Sequence, residues 1–87
     1  MSLPILYIKQ GCPWCIDALG YFKSKNIQLE VIDVITDSSK MKELVKISGQ
    51  SKTPTLKNGD FVVADFDISE FEQAMRKSPE EAKKIGL

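Results

Sequence analysis

Cys12-Pro13-Trp14-Cys15 stands between a short apolar run, Leu3-Pro4-Ile5-Leu6-Tyr7-Ile8, and a stretch whose apolar residues recur at helical spacing. A near-continuous apolar run of this length reads as a central strand buried on both faces, spanning residues 4–9. Gln10-Gly11 reads as a turn. Proline is favoured at the first helical position, where its missing N–H is not needed, so a helix is expected from Pro13 to about Lys25. Cys15, Ala18, Leu19 and Phe22 mark its inner face. Cys12 then sits where unpaired N–H groups and the positive end of the helix dipole point, which stabilises a thiolate.

Working outward, residues 27–34 alternate and then become apolar, as a second strand does, with Ile27, Leu29 and Val31 on one face. Strand, helix and strand make a βαβ unit with a right-handed crossover. Thr36 or Asp37 suits the cap of a second helix, Met41, Leu44 and Val45 its inner stripe, and Gly49 its end. Lys52-Thr53-Pro54-Thr55-Leu56 reads as a short strand, Asn58-Gly59 as a two-residue hairpin turn, and Phe61-Val62-Val63 as the returning strand. Asp67 and Glu70 have the spacing of a capping box before a third helix lined by Ile68, Phe71 and Met75. Ser78-Pro79 opens a last short helix, in which Glu80 and Lys84 are spaced for a surface pair. The expectation is one α/β domain over residues 1–87, its core within 4–77 and 78–87 forming a short helix or tail. Helices cover both faces of a mixed sheet.

The composition narrows the function classes. Twelve Lys/Arg balance twelve Asp/Glu, which argues against nucleic acid held by bulk electrostatics. Residues 1–52 hold seven lysines against five acids, and residues 53–87 hold five bases against seven acids. No apolar run approaches the roughly 20 residues of a membrane helix. The N-terminal stretch lacks the basic region and cleavage site of an export signal, which predicts a cytoplasmic location. There, two nearby cysteines read as redox-active or metal-binding rather than as a structural staple. Zinc wants four ligands, and the chain offers no histidine and no third cysteine. Only a dimer pooling its cysteines fits zinc, so no metal is expected. An inert local disulfide lacks the oxidising compartment that would favour it.

A dithiol/disulfide redox pair fits best. Residues three apart share a helix face, so the second sulfur can attack a mixed disulfide held on the first. Cys12 is the expected nucleophile and Cys15 the shielded resolving thiol. A free thiol is only about 3% thiolate at pH 7. The helix dipole, and Lys9 if close, are expected to lower the Cys12 pKa.

With these residues in place, the chain resembles a glutaredoxin, a small member of the thioredoxin-fold proteins. Residues 4 to about 77 carry the resemblance. Tyr7-Ile8-Lys9-Gln10-Gly11-Cys12-Pro13-Trp14-Cys15 is similar to the family's strand and CPYC site, with Trp14 replacing tyrosine. Thr53-Pro54 falls where the family has Thr-Val-Pro with a cis proline, Asn58-Gly59 at its hairpin, and Phe66-Asp67 near the end of its Gly-Gly-x-Asp-Asp stretch. The resemblance implies a four-stranded mixed sheet of order 4-3-1-2 with strand 3 antiparallel, flanked by three to four helices. It also implies reduction of protein disulfides and glutathione mixed disulfides. Glutathione is then the co-substrate, with no bound cofactor, and the protein a monomer.

The implied groove comes over residue by residue. Lys9 pairs with the glycyl carboxylate, and Trp14 forms an apolar wall. Thr53, before Pro54, offers its backbone to the cysteinyl unit as an added strand would. Asp67, also a natural helix cap, holds the γ-glutamyl ammonium. The sequence departs from the family at Ala64-Asp65, which replaces Gly-Gly, and at Ile68, where a polar residue is usual. These departures keep one alternative open, and the resemblance itself supplies a second. One is a glutaredoxin-like donor reduced by thioredoxin reductase, which would feed ribonucleotide reductase. The other is a carrier of a 2Fe–2S cluster ligated by Cys12 and glutathione between two subunits, against which Pro13 and Cys15 argue.

Overall fold

The structure, a computed structural model, describes residues 3–87. Strand β1 (Ile5–Ile8) leads through a turn to helix α1 (Pro13–Ser24), strand β2 (Glu30–Asp33) and helix α2 (Ser38–Ser48). Strands β3 (Thr55–Asn58) and β4 (Phe61–Val63) follow, then helices α3 (Ile68–Lys77) and α4 (Pro79–Ile85). The sheet order is β2-β1-β3-β4. β1 runs parallel to β2 and antiparallel to β3, and β3 is antiparallel to β4. This is the expected mixed sheet, with β1 at its centre, and it has the thioredoxin-like fold.

The pleat of β1 divides the molecule. Successive strand side chains point to opposite faces. Leu6 therefore joins Ala18, Phe22, Leu56, Phe66, Phe71 and Met75 under α1 and α3, whereas Tyr7 turns to Val34 and Leu44 under α2. The buried Tyr7 hydroxyl donates to Glu43 of α2, so a polar group inside the fold keeps a partner.

Local chemistry bounds the first three helices. Asn26 takes φ +57 after α1, a left-handed geometry that asparagine tolerates. Asp37, rather than Thr36, caps α2 through the Ser39 N–H, and Gly49 closes it at φ +73. Asp67 and Glu70 form a reciprocal capping box on α3.

Several details differ from expectation. β2 begins at Glu30 rather than at residue 27, and β3 runs Thr55–Asn58 rather than 52–56, because Pro54 has no N–H to give to a ladder. Val31 is 45% exposed because β2 is an edge strand, where no neighbouring strand covers its outer side. Val45 lies on the outer flank of α2; Met41 and Ile47 flank the buried Leu44 instead. Asn58 is the last residue of β3, facing Phe61, so the hairpin turn is Gly59-Asp60. Gly59 has φ +61, the sign a type II′ turn requires of its first central residue. Lys84 reaches Glu81 at 3.3 Å, one turn back, rather than Glu80. Residues 79–85 are a docked helix and not a tail: Ile85 is buried in the core with Ile27 and Phe71. Among the described residues, no helix is long and apolar enough to cross a membrane.

Candidate active site

The turn between β1 and α1 sets the position of Cys12. Its N–H donates to the Lys9 carbonyl at 3.2 Å, and Gly11 has φ +80. A type II turn demands a positive φ at that position, so glycine suits the site. Cys12 is the N-cap of α1, and its Sγ accepts the Cys15 N–H at 3.3 Å. The Cys12 sulfur thereby takes the place usually held by a capping serine or aspartate.

Both cysteines are free thiols, Cys12 partly exposed and Cys15 buried. They converge on Thr53, in the loop between α2 and β3. The Cys15 thiol donates to Thr53 Oγ1 at 3.2 Å. Thr53 Oγ1 and the Thr53 carbonyl each lie 3.9 Å from Cys12 Sγ. The Thr53–Pro54 peptide bond is cis, as the resemblance implies.

These contacts push the two thiols in opposite directions. For Cys12, burial raises the pKa, but hydrogen bonds from the Cys15 thiol, the Cys15 N–H, the Thr53 hydroxyl and the Trp14 N–H outweigh it, and the pKa falls below that of an ordinary thiol. For Cys15, burial and the bond to Cys12 dominate, and the pKa rises. The donors that lower Cys12 are the hydrogen bonds of the helix start and of Thr53, and the charge of Lys9 is not among them. A lowered pKa means that more thiolate is present at any pH below it. Alkylation of Cys12 by iodoacetamide is therefore expected to level off with rising pH earlier than that of a free thiol, while Cys15 stays unreactive. A Cys12 midpoint at or above the free-thiol value, from mass-resolved alkylation rates, contradicts this.

The other expected residues fall around the same end of the sheet. Lys9 is half-buried at the foot of the turn, and Trp14 is 52% exposed on the first turn of α1, next to exposed Ile16. Phe66 N–H donates to the Pro54 carbonyl at 3.3 Å, and Asp65 N–H lies 3.4 Å from Thr55 Oγ1. These two bonds draw the segment before Asp67, and with it the start of α3, alongside the Thr53-Pro54 loop. Asp65, standing where the family has a glycine, takes φ +52, a left-handed region in which aspartate is tolerated. Ile68 packs against the core and offers no polar group.

Sequence reasoning missed three contributors. It gave Thr53 a backbone role only, although the side chain touches both sulfurs. It also passed over Gln50 and Thr55. Gln50 holds the loop by accepting the Lys52 N–H and donating to Thr55 Oγ1 at 3.3 Å. Thr55, fully buried, donates in turn to the Lys52 carbonyl at 3.0 Å. A polar pair flanking a proline was the available signal.

The glutaredoxin family model matches residues 5–63. An uncharacterised glutaredoxin-like 8.6 kDa protein of the rubredoxin operon of Clostridium pasteurianum is 29% identical over 72 residues, covering 83% of this chain and 96% of that protein. A glutaredoxin of Archaeoglobus fulgidus superposes with a TM-score of 0.74 at 22% identity, covering 87% of this chain and 88% of that one. A buckwheat glutaredoxin, solved as a glutathione complex, gives 0.67 at 14% identity, covering 85% and 68%. With the family's signature spanning its sheet and its cysteine pair, the chain belongs to the glutaredoxin family.

Proposed function

We propose that the protein is a glutathione-dependent thiol–disulfide oxidoreductase acting on protein disulfides and glutathione mixed disulfides. The observation that carries this reading is the unequal pair: an accessible thiol tuned toward thiolate beside a buried one held as thiol. Cys12 thiolate attacks a substrate sulfur; a new S–S bond forms at Cys12 and the other substrate sulfur departs as thiolate. Cys15 then attacks Cys12, closing the Cys12–Cys15 disulfide and releasing the reduced substrate. Glutathione returns the electrons. The reduction potential falls between roughly −200 and −270 mV, the span from glutaredoxins to thioredoxin.

In this reading glutathione lies along the Thr53-Pro54 loop. Thr53 gives it backbone hydrogen bonds and Trp14 covers its thioether side. Lys9 meets its glycyl carboxylate, and Asp67 meets its ammonium while the first N–H groups of α3 take its γ-glutamyl carboxylate. The placement of Asp65-Phe66-Asp67 against Pro54 supports the groove. So does the buckwheat relative of the same fold, solved with glutathione. Nothing in the reading requires a metal or an organic cofactor, and a cytoplasmic, monomeric protein goes with it.

A second donor is favoured by one observation. Ile68 turns into the core where a polar contact to glutathione is usual, so thioredoxin reductase is the alternative source of electrons. Turnover of a glutathionylated substrate, coupled to NADPH through glutathione reductase or through thioredoxin reductase, separates the two. Activity with glutathione supports the main reading; activity with thioredoxin reductase alone replaces the donor and keeps the chemistry.

A further inference from the structure

Resting on the glutathione reading, we infer that Thr55 is a positioning residue: its buried hydroxyl clamps together the two chain segments that form the walls of the groove, and so sets how well the site accepts a glutathionyl group. The walls come from different parts of the chain. One is the loop over residues 50–54, which brings Thr53 to the cysteines. The other is residues 64–67, which lead into α3. The Thr55 hydroxyl touches both. It donates to the Lys52 carbonyl at 3.0 Å, accepts from Gln50 Nε2 at 3.3 Å and lies 3.4 Å from the Asp65 N–H. A hydroxyl has one proton to give and two lone pairs to fill. Here three different residues use all of them.

The fold makes this hydroxyl a fixed point. Thr55 opens β3 opposite Tyr7 of the central strand and is fully buried. Gln50 extends the clamp, since its side chain also accepts the Lys52 N–H and donates to the Ser48 hydroxyl at 3.0 Å. Lys52 is thereby held at its N–H and at its carbonyl, and Thr53 follows it directly. On the opposite wall, Asp65 stands two residues before Asp67, the cap of α3. A second link, from the Phe66 N–H to the Pro54 carbonyl, joins the same two walls through backbone alone.

The clamp acts on recognition more than on the sulfur. Three of the four donors that lower the Cys12 pKa belong to Cys15 and Trp14 at the start of α1, and only one to Thr53. Glutathione, by contrast, draws on both walls in the proposed groove: the Thr53 backbone on one side, Asp67 and the first N–H groups of α3 on the other. A valine at position 55 fills the same space and leaves the Lys52 carbonyl, the Gln50 amide and the Asp65 N–H without this partner. Buried polar groups rarely stay unpaired, so the walls shift to find others. A shift of about 1 Å in positioning groups can cost about a hundredfold in rate. The Phe66–Pro54 link limits the movement, and a loss of about tenfold is expected.

One peptide thiol, blocked in turn with glutathione and with 2-mercaptoethanol, tests this on the reduced full chain. Peptide release, followed by mass spectrometry of acid-quenched samples, gives the second-order rate constant for each mixed disulfide. The parent is expected to prefer the glutathionylated peptide. Thr55→Val is expected to reduce that preference by about tenfold, with the 2-mercaptoethanol rate changed by no more than about threefold, the worth of one neutral hydrogen bond. Thr55→Ser, which keeps the hydroxyl, is expected to restore the preference. Gln50→Leu removes bonds of the same clamp from a half-buried position, is expected to shift the preference the same way, and stands in if Thr55→Val does not fold. An unchanged preference in the Val variant, or in its stand-in, overturns the clamp. Equal slowing of both disulfides overturns it too, as does a Ser variant that loses as much preference as the Val variant. A parent without preference for glutathione refutes the glutathione reading and the clamp with it, and shows this before any substitution is made.

Discussion

Cys12→Ser is expected to abolish disulfide reduction, lowering turnover by about a thousandfold or more, whereas Cys15→Ser is expected to lose protein-disulfide reduction but keep removal of glutathione from a mixed disulfide. A serine hydroxyl at position 12 remains protonated at neutral pH and cannot replace the thiolate, which is the nucleophile in exchange. Nor can the surrounding donors rescue it: the Cys15 N–H and the Thr53 hydroxyl stabilise a charge that serine does not develop. Cys15 is needed only when the mixed disulfide on Cys12 must be resolved from within. When the partner is glutathione, a second glutathione from solution reaches the partly exposed Cys12 sulfur and completes the exchange. Rates with an alkyl–glutathione mixed disulfide and with a protein disulfide, measured for both variants, check the division. Activity remaining in Cys12→Ser overturns the choice of nucleophile. Equal loss of both activities in Cys15→Ser shows that the single-thiol route is not used.

What could be read from the sequence here is what depends on near neighbours. Cys12, Pro13 and Cys15 lie within one helical turn, so their capping geometry follows from local rules. The same holds for Asp67 with Glu70 and for Gly49 at the end of α2. Thr53 meets Cys15 from 38 positions further along the chain, and no periodicity announces that its hydroxyl, rather than its backbone, lands between two sulfurs. Val31 and Val45 failed for a related reason. Their spacing suits an inner face, but exposure is decided by which strand lies at the sheet edge and by how α2 is rotated on Tyr7 and Val34. Asp65 is a different case: it takes φ +52, a left-handed geometry that its residue type alone does not announce.

The second large effect concerns stability. Phe71→Ala is expected to destabilise the fold by about 3–5 kcal/mol, the usual range for a buried phenylalanine, whereas Val45→Ala is expected to stay within about 0.5 kcal/mol. Phe71 is fully buried on α3. Its ring lies 5.0 Å from those of Phe22 and Phe66 and 5.8 Å from that of Tyr21. Removing it therefore opens a cavity and breaks three ring contacts, each worth about 0.5–1.5 kcal/mol beyond burial. A domain of 87 residues has a total stability of roughly 5–10 kcal/mol, so the substitution removes a third or more of it. Urea unfolding followed by circular dichroism measures this as a lower midpoint with an unchanged slope. The consequence reaches the site, because Phe66 both stacks on Phe71 and ties α3 to the Pro54 carbonyl. The Cys12 pKa is expected to hold, since its donors come from the start of α1 and from Thr53. A variant that unfolds at the parent midpoint would show that the cluster under α3 does not carry the fold, and a variant whose Cys12 reactivity falls with its stability would show that α1 and the Thr53 loop depend on α3 for their alignment.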